Sequence, residues 1–202
     1  MKHIFYHLTA VMVVVVWGMT FISTKVLIVH GLSAQEIFLF RFLLAYAAVC
    51  PISFHRFFAR NLKDELYLVG GGVLGGSLFF FLQNIALGLT QASNVSFIIC
   101  MAPLLTAVLT VLSVRTEKVS RGFIYGSIIA LLGVGLLIFN GSFILRISPL
   151  GDLLTLLASL SWAFYSLVIR SLTRKYSPAF ITRKIFFYGI ITILPTFFFC
   201  PH

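Results

Sequence analysis

The sequence has 202 residues, of which 60% are apolar and only 10% are charged. A soluble domain carries about 25% charged residues because its surface must face water, so this composition excludes a soluble protein and indicates one whose solvent is lipid. The net charge of +10 would fit a nucleic-acid-binding protein only if the basic residues clustered on one folded polar face. They lie in short segments between apolar runs, as in the loops of a membrane protein.

Seven apolar segments are long enough to cross a bilayer core as helices, which takes about 20 residues. The first follows a short basic N-terminus and lacks a small-residue cleavage site, so we expect a retained helix rather than a signal peptide. Short links make consecutive helices antiparallel neighbours. In chain order the predicted spans are residues 4–29, 33–55, 66–89, 93–114, 121–140, 150–170 and 179–200.

The distribution of Lys and Arg predicts the orientation of these spans. With the N-terminus inside, the outer loops hold only Arg146, and two other cations, Lys25 and Arg41, fall within spans. This asymmetry obeys the positive-inside rule, and it predicts a multi-pass protein of the cell membrane with a cytoplasmic N-terminus. The cations predicted to be cytoplasmic are Lys2, Arg56, Arg60, Lys63, Arg115, Lys118, Arg121, Arg170, Arg174, Lys175, Arg183 and Lys184.

Two tryptophans occupy corresponding places in the first and sixth spans. Trp17 precedes Lys25, and Trp162 precedes Arg170, each by about two helical turns. Because these spans run in opposite directions, the pattern indicates an inverted-repeat transporter. We therefore predict an all-α bundle of five-helix inverted repeats. The first repeat is complete over residues 1–141, and the second is partial, with two helices in 150–202.

Short motifs lie in a specific order along almost the whole chain. They comprise Trp17, Gly18, Thr20 and Lys25; Arg41, Phe42 and Ala45; Ala86, Leu87, Thr90, Gln91, Ala92 and Ser93; Pro103; Glu117; and Gly151, Asp152, Trp162, Ala163 and Tyr165. In this arrangement the chain resembles the EamA-type family of the drug/metabolite transporter superfamily. The resemblance implies ten helices in two five-helix inverted repeats that move small organic solutes, often amino acids or other metabolites outward. Against that pattern, we expect this chain to be truncated after its seventh helix.

Charged residues at membrane depth are costly and are candidate functional groups. Arg41 lies about 12 Å below the outer end of its span, where it either meets an anionic substrate group or is held by backbone carbonyls and a partner helix. Lys25 is close enough to its helix end to snorkel to the interface. Glu36 lies at a similar level, so it either pairs with Lys25 or Arg41, as a coupling group would, or is a simple interfacial acid.

The uncharged candidates lie nearer mid-depth, where transporter sites are found. Trp17 is too deep for the interfacial aromatic belt, so it either packs between helices or lines a cavity. Gln83 and Asn84 point about 100° apart on a helix, so at most one faces a given cavity, and hydrogen bonding between helices is the alternative for both. The predicted substrate-binding residues are Trp17, Thr20, Arg41, Gln83, Trp162 and Tyr165.

Further residues predict local structure. Pro103 removes a backbone hydrogen bond from the fourth span and predicts a kink there. Glu117 fits a helix-terminal carboxylate beside cations. Small-xxx-small spacing predicts close helix packing at the pairs Gly71 and Gly75, Gly72 and Gly76, and Gly122 and Gly126.

Two function classes fit these features. The first is a carrier of small organic metabolites that works by alternating access. The alternative is a truncated or half-sized membrane protein without independent transport, which would need the missing second-half helices or a second copy in a homodimer. An intramembrane enzyme would need an HExxH, paired-Asp or Ser/His arrangement within the spans, and the sequence has none. Cys50, Cys100 and Cys200 lack ligand-like spacing, so we predict no metal and no cofactor.

Overall fold

The structure, a computed structural model, describes residues 2–53, 57–113, 120–139 and 148–199. Every regular element in these ranges is helical, which confirms the predicted all-α fold. The elements are α1 (Lys2–Val29), α2 (Ala34–Val49) with a 3₁₀ turn (Cys50–Ser53), α3 (Leu62–Gly71), a π-helical segment (Gly72–Leu78), α4 (Phe79–Leu89), α5 (Ala92–Ile99), α6 (Ala102–Ser113), α7 (Arg121–Phe139), α8 (Pro149–Leu172), α9 (Pro178–Ile193) and α10 (Thr196–Phe199).

The helices make this a membrane protein. Within the described ranges, six apolar segments are long enough to cross a bilayer, and each agrees within a few residues with a predicted span: Ile4–Val29, Ala34–Ser53, Leu62–Leu89, Ala92–Ser113, Pro149–Leu172 and Pro178–Phe198. The remaining predicted span, 121–140, corresponds to α7, a 19-residue and largely apolar helix. Large apolar side chains such as Val14 and Leu44 are exposed, as lipid-facing residues should be.

Local sequence signals set the helix ends. Ser33 and Glu36 form a capping box at the start of α2, in which each side chain bonds the backbone of the other. Gly31, at φ 96°, makes the tight turn before it. Helices α8 and α9 both have proline in the first turn, where its missing N–H leaves no bond unmade.

Two of the spans are interrupted near their middle. The third changes from α to π geometry over Gly72–Leu78. The fourth ends as α5 at Ile99 and resumes as α6 at Ala102, directly beside Pro103, which has no N–H to continue the helical ladder. Helix α8 packs against α4, α5, α6 and the π-helical segment, so both interruptions face the same helix.

Close helix packing occurs at some of the predicted glycines and not at others. A side chain at Gly72 would lie 2.5 Å from Tyr188 Cβ, and one at Gly76 would lie 3.3 Å from Gly189 Cα, so α9 packs tightly on this face. At Gly122 and Gly126, a Cβ would meet no atom within 4 Å in the described part of the chain. The packing predicted for that pair is wrong there, because α7 lies at the periphery with a largely exposed face.

Several predictions fall outside the described residues. They concern Arg56, Arg115, Glu117, Lys118, Arg146, Cys200 and most of the segment 141–149 between the two predicted repeats.

Candidate substrate site

Four aromatic side chains from three helices meet at the centre of the bundle. Trp162 of α8 lies with its ring centroid 5.8 Å from Trp17 of α1, 4.8 Å from Phe79 of α4 and 5.1 Å from Tyr165. Phe79 is fully buried, and the other three are partly buried. We call these four residues the aromatic cluster. It unites three of the predicted substrate-binding residues, and its side chains carry no formal charge.

Gly75 makes room for this cluster. A Cβ at this position would lie 2.4 Å from Tyr165 Cδ2, which is closer than any side chain can approach. The predicted close packing at Gly75 therefore serves an aromatic ring of α8 rather than a helix backbone. Because Gly75 belongs to the π-helical segment, the irregular part of the third span and Tyr165 are in direct contact.

Serine hydroxyls of α8 bond to both interrupted spans. Ser161 donates to the Leu74 carbonyl within the π-helical segment at 2.7 Å. Ser159 donates to the Ile98 carbonyl near the end of α5 at 3.3 Å. Irregular backbone at membrane depth persists only where neighbouring groups satisfy it. Both interrupted spans are therefore hydrogen-bonded to the middle of α8, beside Trp162.

The two adjacent amides of α4 have different surroundings. Asn84 Nδ2 donates to the Ala34 carbonyl of α2 at 3.0 Å, which is the interhelical bond expected for one of the pair. Gln83 is fully buried, and in the described part of the chain neither its Oε1 nor its Nε2 has a hydrogen-bond partner. Gln83 lies one turn after Phe79 and one turn before Leu87, so it shares their buried face.

Thr20 lies beside the cluster on α1. Its Oγ1 donates to the Trp17 carbonyl at 2.6 Å, and the following residue, Phe21, is buried in the same hydrophobic core as Phe79. The Thr20 hydroxyl is thus bound within its own helix, and its methyl group is left for packing.

Arg41 lies next to the aromatic cluster rather than within it. Its Nη1 donates to Thr24 Oγ1 at 3.3 Å, and its guanidinium covers the ring of Phe80 at 5.3 Å from the centroid. Phe80 in turn contacts Phe79, with ring centroids 4.9 Å apart. A cation–π contact and a hydroxyl bond hold this cation between α1 and α4.

Lys25 and Glu36 have structural contacts. Lys25 Nζ donates to the carbonyls of Leu87 and Thr90, so it closes the C-terminal end of α4, where a cation is favoured. The Glu36 carboxylate accepts from the backbone N and the Oγ of Ser33, each at 2.8 Å. The coupling or ion-pair role of the two residues stays a prediction.

A second polar group lies where α3 begins. The Glu65 carboxylate, one turn into that helix, accepts from Lys184 and from the Tyr188 hydroxyl, both of α9. Its neighbour Asp64 accepts from Lys175 Nζ at 2.8 Å and from the Tyr176 hydroxyl at 2.9 Å. The bond to Asp64 raises the pKa of Lys175. This group holds α3 against α9 and against the connection between α8 and α9.

Sequence reasoning missed Phe79, Ser159, Ser161 and Glu65. A polar stripe on α8 could have identified Ser159, although Ser161 lies off its face. Thr155, Ser159, Trp162 and Ser166 recur at intervals of three or four residues along one face of an otherwise apolar span. Phe79 is one of 22 phenylalanines, so no local signal separates it from ordinary packing residues.

The family model described as the EamA-like transporter family matches residues 4–139, which is well over half of the chain. The match covers α1 through α7 and therefore the first predicted five-helix unit. No curated protein and no solved structure matches the chain significantly.

Proposed function

This chain belongs to the EamA-like transporter family, and we propose that it carries small organic metabolites across the cell membrane by alternating access. Amino acids or similar metabolites moving outward are the substrates we expect. The observation that carries the proposal is the contact between Trp17 and Trp162, whose ring centroids are 5.8 Å apart.

The position of this contact supports a transport site. If α8 begins a second, inverted unit, Trp17 and Trp162 are equivalent residues, and equivalent residues meet only near the axis that relates the two units. Substrate sites of inverted-repeat transporters lie near that axis at mid-depth, beside interrupted helices. Here the π-helical segment and the break between α5 and α6 both contact α8, close to Trp162.

We further propose that the first unit spans residues 1–141, that the second begins within 150–202, and that the N-terminus is cytoplasmic. The positive-inside rule supports this orientation. A contact between two predicted cytoplasmic loops supports their placement on one side of the membrane. The Arg60 backbone N–H donates to the Tyr176 hydroxyl at 2.9 Å, so the loop before α3 and the loop before α9 lie at the same end of the bundle.

Reconstitution tests the function. The purified chain in proteoliposomes should take up members of a radiolabelled mixture of amino acids and other small metabolites, uncharged amides included, faster than protein-free vesicles do. Trp17→Ala and Trp162→Ala should abolish this uptake, whereas Val14→Ala, at a lipid-facing position 64% exposed, should retain it. Equal uptake by the tryptophan variants would contradict the proposed site. No uptake by folded wild-type protein would favour the alternative, a membrane protein without independent transport.

A further inference from the structure

Gln83 is a buried polar residue whose side chain forms no hydrogen bond within the described part of the protein. Its side chain is 0% exposed, and neither Oε1 nor Nε2 has a hydrogen-bond partner among the described residues. The adjacent Asn84 is nearly as buried, yet its Nδ2 bonds the Ala34 carbonyl. Asn84 Oδ1 also lacks a partner among the described residues, but only Gln83 of the two has a side chain that forms no hydrogen bond there at all.

An amide with both atoms unbonded opposes folding, because it has lost its water and gained nothing in return. Leucine at this position would fill a similar volume without that penalty. A buried group that destabilises the fold is typical of a functional site, where stability and activity conflict. A ligand that supplies one acceptor and one donor would satisfy both atoms of the amide.

The residues around Gln83 restrict the charge and polarity of the rest of such a ligand. Gln83 lies one helical turn from Phe79 on the same buried face of α4, and Phe79 contacts Trp162 of the aromatic cluster. The cluster offers ring faces and no formal charge. The nearby cation Arg41 is held by Thr24 and Phe80. An ionised ligand would lose its hydration here without gaining a counter-charge.

We propose that Gln83 binds an uncharged group in which a carbonyl and an N–H lie side by side, as in a carboxamide, a lactam or an imide. Gln83 Nε2 donates to the carbonyl, Oε1 accepts from the N–H, and the apolar body of the ligand packs against the aromatic cluster. This assignment rests on the proposed function, and among the small organic metabolites expected there it selects uncharged amides over zwitterionic amino acids.

The chain contains its own reporter for this binding. Its two tryptophans are Trp17 and Trp162, and both belong to the aromatic cluster, so intrinsic tryptophan fluorescence monitors the site directly. Benzamide, benzoate and benzylamine serve as probes because they share one ring and differ in the charge of the attached group. We expect benzamide to change the fluorescence of the purified full-length chain saturably, and the benzoate anion and the benzylammonium cation to bind at least about tenfold more weakly.

Two matched variants test the role of the amide. Gln83→Leu should weaken benzamide binding by about tenfold or more, the effect of losing about two neutral hydrogen bonds, and should raise the thermal midpoint of the free protein. Asn84→Leu removes only the interhelical bond to the Ala34 carbonyl and should keep the benzamide response. No benzamide response in the wild type, an unchanged response in Gln83→Leu, or tighter binding of either charged probe overturns the proposal.

The result of the benzamide-binding experiment can be distinguished from the result of the transport assay. Uptake in proteoliposomes combined with a benzamide response independent of Gln83 would refute this substrate class and leave the carrier function standing. A Gln83-dependent response without any flux would refute the carrier function and leave the binding site.

Discussion

The indole rings of Trp17 and Trp162 lie 5.8 Å apart, with their planes inclined by 37°. They belong to α1 and α8, which do not follow one another in the chain, and each ring is only partly buried. Their contact joins the first five-helix unit to the helices that we assign to the second. It is therefore both a packing contact and a candidate wall of the substrate site.

A double-mutant cycle should measure this contact. Trp17→Ala and Trp162→Ala should each destabilise the protein, and the double variant should lose less than the sum of the two. Aromatic pairs contribute about 0.5–1.5 kcal/mol beyond their buried area, so we expect a coupling energy in that range. Unfolding in SDS, followed by circular dichroism, supplies the four free energies. Strictly additive effects would mean that the rings do not interact.

Gly75 should tolerate no side chain. Gly75→Ala places a Cβ 2.4 Å from the Tyr165 ring and should destabilise the protein by about 1–3 kcal/mol, as overpacking does. Gly70→Ala is the matched control, because a Cβ at Gly70 meets no described atom within 4 Å and alanine favours a helix over glycine. Equal unfolding free energies for the two variants would contradict the proposed close approach between Gly75 and the Tyr165 ring.

The ion pair between Glu65 and Lys184 should stabilise the bundle strongly. The two side chains are 15% and 5% exposed, so Glu65→Gln leaves a buried ammonium without its carboxylate and should cost about 3–5 kcal/mol of unfolding free energy.

The pair between Asp64 and Lys175 provides the comparison. The Lys175 side chain is 53% exposed, and Asp64 keeps its bond from Tyr176 when the lysine is removed. Lys175→Met should therefore cost at most about 1 kcal/mol. The same SDS titration measures both variants, and a larger loss for Lys175→Met than for Glu65→Gln would contradict this ranking.

The sequence was sufficient to predict six membrane spans and the helix α7, because the length of an apolar run can be read directly from the order of the residues. It also predicted that Trp17, Trp162 and Tyr165 would come together, since the proposed repeat relates the first two and helical spacing places the third. It could not place Arg41, whose position depends on the facing Phe80 ring and the Thr24 hydroxyl. Nor could it separate Gln83 from Asn84, because the difference between them is a backbone carbonyl on another helix.

The orientation predicts which loops a membrane-impermeant thiol reagent reaches. In a background lacking Cys50, Cys100 and Cys200, a cysteine replacing Arg60 should be labelled only after the membrane is opened. A cysteine replacing the exposed His30 should be labelled in intact cells. The reverse labelling pattern would show that the protein has the opposite orientation.

Accessibility of Thr20 from each side of the membrane tests alternating access most directly. In the same cysteine-free background, Thr20→Cys should react with an impermeant methanethiosulfonate reagent in right-side-out vesicles and also in inside-out vesicles, because the site opens to each side in turn. Met19→Cys, at a neighbouring position that is 62% exposed toward lipid, should react in neither. Labelling of Thr20→Cys from one side only, or from neither side, would contradict a site that alternates between the two faces of the membrane.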